Sequence, residues 1–233
     1  MMSPTYLPLA GIILFILCAA WVLAPLAERI PARLERQWDI EVEEHLRTRR
    51  EHTPAVNHKL TLGHKVWLAC MAAPLGYMVI SIHGAKDEGT VWSVYFLSLL
   101  LLAAINIRTG LLPDSIVQPI LWLGLLFHTH SGAGPEHLYG AALGYVIPYG
   151  IYLALKTFTG KELLGQGDIK ALAMSGAWFG TSALVPLFCG MLAGIVIWGV
   201  LVRLARRRSS TQWATGPAHL LASVAATWWP LWL

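Results

Sequence analysis

Charge is scarce in this chain. Of its 233 residues only 13% are Asp, Glu, Lys or Arg, where a soluble domain carries about 25%. Hydrophobic residues make up 56%, and mean hydropathy is +0.56. These values exclude an ordinary water-soluble fold and a disordered tail. Cysteine is scarce as well. Cys18, Cys70 and Cys189 each lie in an apolar run, and no Cys-x-x-Cys pair occurs. That excludes a secreted disulfide scaffold, a four-cysteine zinc site and a thioredoxin-like motif, and leaves three small buried hydrophobes. The net charge of +4 is not gathered into a patch. The basic residues fall between apolar segments, so the bilayer, and not nucleic acid, is the expected partner. No internal repeat or low-complexity tract is present.

A spanning helix needs about 20 mostly apolar residues. Eight segments qualify: 6–27, 66–82, 90–107, 115–129, 137–155, 169–180, 183–202 and 214–233, the fourth and sixth being short. The first is too long, and lacks the basic start, of a cleaved signal peptide. The predicted fold is all-α: a polytopic membrane helical bundle of about eight transmembrane helices, with a charged cytoplasmic segment after the first. The expected organisation is a first helix in 1–27, the charged segment in 28–65 and a transmembrane domain in 66–233. Alternating loops put 16 of the 17 Lys and Arg residues on one side, in 28–65, 108–114, 156–168, 203–213 and at Lys170; only Lys86 falls on the other. The basic side is therefore expected to be cytoplasmic, with both termini outside. His45, His52, His58 and His64 read as solvated surface residues, and so do His128 and His130 on the outer side. Trp228, Trp229 and Trp232 suit an outer aromatic belt.

Ionisable or strongly polar groups at the edge of a span are functional candidates, because burying them is costly. Asn106 sits near the cytoplasmic end of the third span. Asp114 follows Leu111-Leu112-Pro113 and opens the fourth, where a helix N-cap explains it without chemistry. Asp168 follows Gly165-Gln166-Gly167 and opens the sixth, with the glycines allowing close backbone approach. All three belong to the basic face. Lys161 and Glu162, just ahead of the Gly-x-Gly-Asp, suit either leader binding or a solvated loop pair.

The run Asn106-Ile107-Arg108-Thr109-Gly110-Leu111-Leu112-Pro113-Asp114 closely resembles bacterial type IV prepilin peptidases. So do Gly140-Ala141-Ala142-Leu143-Gly144-Tyr145 and the stretch Thr159 to Leu172 around Gly165-Gln166-Gly167-Asp168. Gly216-Pro217-Ala218-His219-Leu220 is similar to the family's Gly-Pro element in the last span. The resemblance covers about 99–221 and touches 29–38. It implies an intramembrane aspartic protease of the bacterial inner membrane. Such an enzyme uses two aspartates and water to cut the basic leader from type IV prepilins, major and minor, at the cytoplasmic face. Peptide cleavage there needs no metal and no cofactor. Many members also methylate the new N-terminus with S-adenosylmethionine.

Two departures stand out. The family's second aspartate maps onto Asp168, but its first maps onto Asn106. An amide has nearly the shape of a carboxylate but cannot exchange a proton, so the chain as written is expected to bind a prepilin and cut it poorly or not at all. Three accounts are open: a substitution that traps an inactive enzyme, a natural inactive homologue, and Asp114 standing in as the second carboxylate. The second departure is the segment after the first span, where many relatives carry paired zinc-binding cysteines and this chain has none. A non-catalytic prepilin-binding or pilus-assembly membrane protein is the competing function. A small transporter is disfavoured, since no inverted repeat is visible.

Overall fold

A computed structural model describes residues 6–45, 62–84, 87–160, 165–204 and 215–228, and every regular element among them is helical. The chain forms two compact units, Met1–Ile105 and Asn106–Leu233.

In the first unit, α1 (Tyr6–Cys18) runs through a π-helical turn, Ala19–Leu23, into α2 (Ala24–His45). The flanking residues Cys18 and Ala24 keep right-handed helical backbone (φ −58° and −62°), so this is one rod with a bulge. The helix continues past residue 27, where the predicted first span ends. The sequence turns from apolar to charged there, but Arg, Leu, Glu and Gln are strong helix formers and no turn residue intervenes except Pro31, which the helix absorbs. The charge switch therefore marks a change of surroundings, not a helix end. Phe15, Ala19, Leu23 and Ala27 form a buried stripe at fourfold spacing. α1 packs on α3 (Leu62–His83), where a Cβ at Gly76 would lie 2.9 Å from the Phe15 Cβ. α4 (Asp87–Thr109) follows, with Trp92, Tyr95 and Phe96 buried and His83 stacked on Trp92 at 4.5 Å.

The second unit begins with the last turn of α4. It contains α5 (Asp114–His130), α6 (Gly134–Thr159), α7 (Gln166–Phe179), α8 (Leu184–Leu204) and α9 (Gly216–Trp228). α7 is its axis. From Asp168 to Trp178 every residue but Lys170 is buried, as a helix hydrophobic all round requires. α5, α6, α8 and α9 pack around it. The closest crossing is that of α6 on α7. A Cβ on Gly140 would lie 2.4 Å from the Gly176 carbonyl oxygen, and one on Gly176 would lie 2.2 Å from that of Gly140. Small residues let two backbones meet where no apolar solvent can drive helices together. α8 meets α9 in the same way, with Gly190 and Gly194 against Ala222 and Ala218. Trp178 crosses under Gly124 and donates its indole N–H to the Ile120 carbonyl at 2.9 Å.

Each predicted span contains a helix. Among the described residues, four helices are by length and composition long and apolar enough to cross a membrane: 10–37, 65–83, 87–109 and 134–159. α5, α7 and α9 are shorter, and α8 carries a shorter apolar stretch, Leu184–Ile197. Large apolar side chains crowd the outer faces, among them Trp21, Leu14, Val146 and Val185. Surface of that kind calls for apolar surroundings. The protein is thus an all-α polytopic helical bundle. Two readings of small residues change here. Cys70 and Cys189 are exposed on these outer faces instead of lying in a core, and Cys18 is half-buried. His128 is also not a solvated residue: it is buried and stacks on His137 with ring centroids 3.4 Å apart, while His130 is exposed. His52, His58, Trp229 and Trp232 lie outside the described residues, and Trp228 is 43% exposed.

Candidate active site

α4 stops because Gly110 takes a left-handed backbone (φ +69°), its N–H returning to the Asn106 carbonyl at 2.8 Å. Leu111, Leu112 and Pro113 then lead into α5. This turn fixes the Asn106 side chain, which is 2% exposed. Its Nδ2 donates to the Leu111 carbonyl at 3.4 Å, and its Oδ1 accepts the backbone N–H of Gly216, the first residue of α9, at 2.7 Å. Position 106 therefore sits between one acceptor and one donor. An amide matches both; so does a carboxylic acid that keeps its proton.

Asp168 is the third residue of α7 and folds back on the helix start. Its Oδ2 accepts the Gly165 N–H at 3.1 Å, while Gly165 offers its carbonyl to the N–H groups of Asp168 and Ile169. An acid in the first turn also suits the positive end of the helix dipole. Its Oδ1 lies 3.3 Å from His219 Nε2 on α9, and the Thr215 hydroxyl is a further hydrogen-bond donor to the carboxylate. Asp168 is 7% exposed and His219 2%.

The two glycines of the Gly-x-Gly-Asp have separate tasks. A Cβ on Gly165 would lie 2.9 Å from Asp168 Oδ2, and one on Gly167 would lie 3.1 Å from the Leu112 Cβ. The first leaves room for the carboxylate. The second seats the start of α7 against the Leu-Leu-Pro segment that follows Asn106.

Asn106 and Asp168 each contact the start of α9. Their partners Gly216 and His219 are three residues apart, about 4.5 Å of helix rise, so both side chains dock on one helical turn. Asp114 does not join them. The expected N-cap is not formed: Pro113 holds that position, and Asp114 is the first residue of α5 with no capping bond. Its carboxylate pairs instead with Lys170 Nζ at 2.5 Å, with the Asp114 side chain 55% exposed. The outward turn of Lys170 from an otherwise buried helix explains the diversion. Lys161 and Glu162 lie outside the described residues. Sequence reasoning missed His219 and Thr215. The available signal was an imidazole inside an apolar span, which the cost of burying ionisable groups marks as functional.

The fold and this centre define a helical membrane protein whose acidic residue is held at a helix start beside a second polar side chain. The type IV leader peptidase family matches residues 93–202, a stretch that takes in Asn106, Asp114 and Asp168 and stops short of His219. The chain is 34% identical to the prepilin leader peptidase/N-methyltransferase of Escherichia coli strain K12, over 71% of each chain. It is 30% identical to the protein of the same name from Pseudomonas aeruginosa, over 95% of this chain and 91% of that one. With its counterpart from Stutzerimonas stutzeri the identity is 27%, over 98% and 95%. No solved structure matches the chain. The chain belongs to the type IV leader peptidase family, a family of membrane peptidases.

Proposed function

We propose that this chain carries a prepilin leader peptidase site in which Asp168 and position 106 are the working pair, and that Asn106 withholds the proton exchange a second carboxyl supplies. The observation that supports this reading is the docking of both side chains on one turn of α9. In such a site the ionised carboxylate takes a proton from water as the water oxygen bonds to the peptide carbonyl carbon. The neutral partner hydrogen-bonds the carbonyl oxygen and protonates it. The C–N bond then breaks, the amine nitrogen takes the proton held on the first carboxyl, and the second proton returns to its donor. Asp168, with donors on both oxygens, suits the ionised role. Position 106, between a donor and an acceptor, suits the neutral one. Asn106 can polarise a carbonyl but neither gives nor recovers a proton.

The substrate class is type IV prepilins, major and minor, cut at the cytoplasmic face of the inner membrane, with both chain termini outside. The relatives' names add methyl transfer, for which S-adenosylmethionine would be the donor. The polar groups around 106 and 168 bond to one another and form no cradle for it, so only peptide cleavage is derived from them.

The test is co-expression with a prepilin and a gel shift for leader loss. A positioned acid–base group contributes about 10²- to 10⁴-fold, so Asn106→Asp should raise cleavage by that order and Asp168→Asn should abolish it. If Asn106→Asp stays inert while Asp114→Ala removes cleavage by the present chain, the pairing is wrong. A second reading, a non-catalytic prepilin-binding protein, is favoured by the bonds Asn106 and Asp168 make within the chain. It predicts that a prepilin co-purifies with its leader intact even after Asn106→Asp.

A further inference from the structure

We propose that His219 is a positioning residue of this site: its imidazole, together with Thr215 and the Gly165 N–H, holds Asp168 as the ionised, water-activating member and leaves the neutral role to position 106. The proposal rests on the peptidase reading for its consequence in catalysis, but its geometry stands independently. Asp168 Oδ2 accepts the Gly165 N–H at 3.1 Å, and its Oδ1 lies 3.3 Å from His219 Nε2. In the proposed arrangement Asp168 is ionised and only accepts, so Nε2 is the donor. The neighbouring position is wired the other way, since Asn106 must donate to the Leu111 carbonyl as well as accept from Gly216. The first turn of α9 thus contacts both members, an imidazole facing 168 and a backbone N–H facing 106, while the Leu111 carbonyl, an acceptor, faces 106 alone. A carboxyl pair sharing one proton is symmetric until something in its surroundings breaks the tie. Here the Leu111 carbonyl at 106 and the donors around 168, His219 among them, break it.

The elements packed against α7 carry other charged and titratable groups. Asp114 and Lys170 pair with each other, and Lys156 lies on the Tyr152 hydroxyl at 3.2 Å. His128, His130, Glu136 and His137 are at the opposite ends of α5 and α6. Arg108 lies two residues after Asn106, on the last turn of α4, and Arg203 is near the end of α8. His219 is buried among the small residues of α9 and has no place in helix capping, since its own N–H already bonds the Thr215 carbonyl at 3.1 Å.

The experiment has two arms. In the first, the infrared carbonyl stretch of protonated Asp168, assigned by its loss in Asp168→Asn, is titrated in the purified full chain and in His219→Leu and His219→Gln. Removing one donor to a carboxylate should move the Asp168 midpoint up by about one pH unit. Glutamine, which keeps an N–H donor without titrating, should bring it most of the way back. In the second arm, cleavage of a prepilin is followed in the Asn106→Asp background. His219→Leu should lower kcat about tenfold at little change in KM and move the acid limb of the pH profile upward, and His219→Gln should restore most of the rate. A midpoint that is the same in all three chains overturns the proposal, as does a kcat that ignores His219→Leu. If the midpoint moves but Asn106→Asp never cleaves, the positioning role stands and the peptidase reading falls. Should the leucine variant fail to fold, the glutamine variant still decides: a midpoint or rate far from the parent would show that a donor at 219 is not what matters.

Discussion

Replacing Asn106 by alanine separates what this residue does for the fold from what it does for chemistry. Its Oδ1 receives the N–H of Gly216 at 2.7 Å, and Gly216 is itself buried. That N–H is one of the first-turn donors that a helix cannot satisfy internally, and Pro217 beside it has none to offer. Asn106 thus caps α9 from 110 positions away in sequence. Asn106→Ala leaves a buried donor unpaired, a loss of about 1–3 kcal/mol, and also frees the Leu111 carbonyl, whose 3.4 Å bond is long and adds less. Asn106→Asp keeps the Oδ1 acceptor, and in its neutral form keeps the donor, so it should cost under about 1 kcal/mol at acidic pH. That low cost holds only near or below about pH 4, where the unfolded side chain is also protonated, and it should grow by up to about 1.4 kcal/mol per pH unit above that, because the ionised group would set an oxygen against the Leu111 carbonyl. Reversible unfolding in mixed detergent–SDS micelles, with tryptophan fluorescence as the signal, measures both. An alanine variant as stable as the parent, or an aspartate variant weaker than alanine at every pH, would refute the capping geometry and with it the contact of both 106 and 168 with α9.

Other consequences are open to the same measurement. Trp178→Phe removes the bond to the Ile120 carbonyl and should cost about 1 kcal/mol, while Trp178→Ala should cost about 3–5 kcal/mol. Gly176→Val cannot be accommodated against the Gly140 carbonyl without moving α6; a loss above about 1–3 kcal/mol in the unfolding assay is expected, or no recoverable protein. Asp114→Ala breaks a partly exposed ion pair with Lys170 and should change stability by less than about 1 kcal/mol. In the Asn106→Asp background it should leave leader cleavage standing, whereas Asp168→Asn should remove it.

Much of the bundle is visible in hydropathy alone. Apolar stretches of the right length must bury their backbone in helices, and the helices fall where those stretches lie. Glu28 shows the limit of that signal: it marks where the surroundings turn polar, but the chain carries no instruction to stop, and the helix runs on to His45. Asp168 and its glycines stand out in the sequence because an acid at a span edge is costly to bury, but Gly-x-Gly-Asp alone is a weak signal that gains weight only from the family resemblance. The diversion of Asp114 to Lys170 was not legible, since it depends on which way Lys170 leaves α7. Nor was the stacked pair His128 and His137, whose partners come from different helices.

His219 escaped for a related reason, and its case shows how the site is built. A pattern reading ranks residues along the chain, and 219 is 51 residues from Asp168 and 113 from Asn106. What joins them is the start of α9, a glycine and a proline that look like packing residues in isolation. The Gly216 N–H holds one side chain and His219 the other. The neutral member is set by the Leu111 carbonyl, which asks position 106 for a donor while Gly216 asks it for an acceptor; on the proposed reading the anion is then at 168. On that view Asn106 is not an isolated defect in an aspartic site. It is the amide form of the neutral partner that its surroundings already demand. A single return to aspartate should therefore be tolerated by the fold before it is useful to the chemistry.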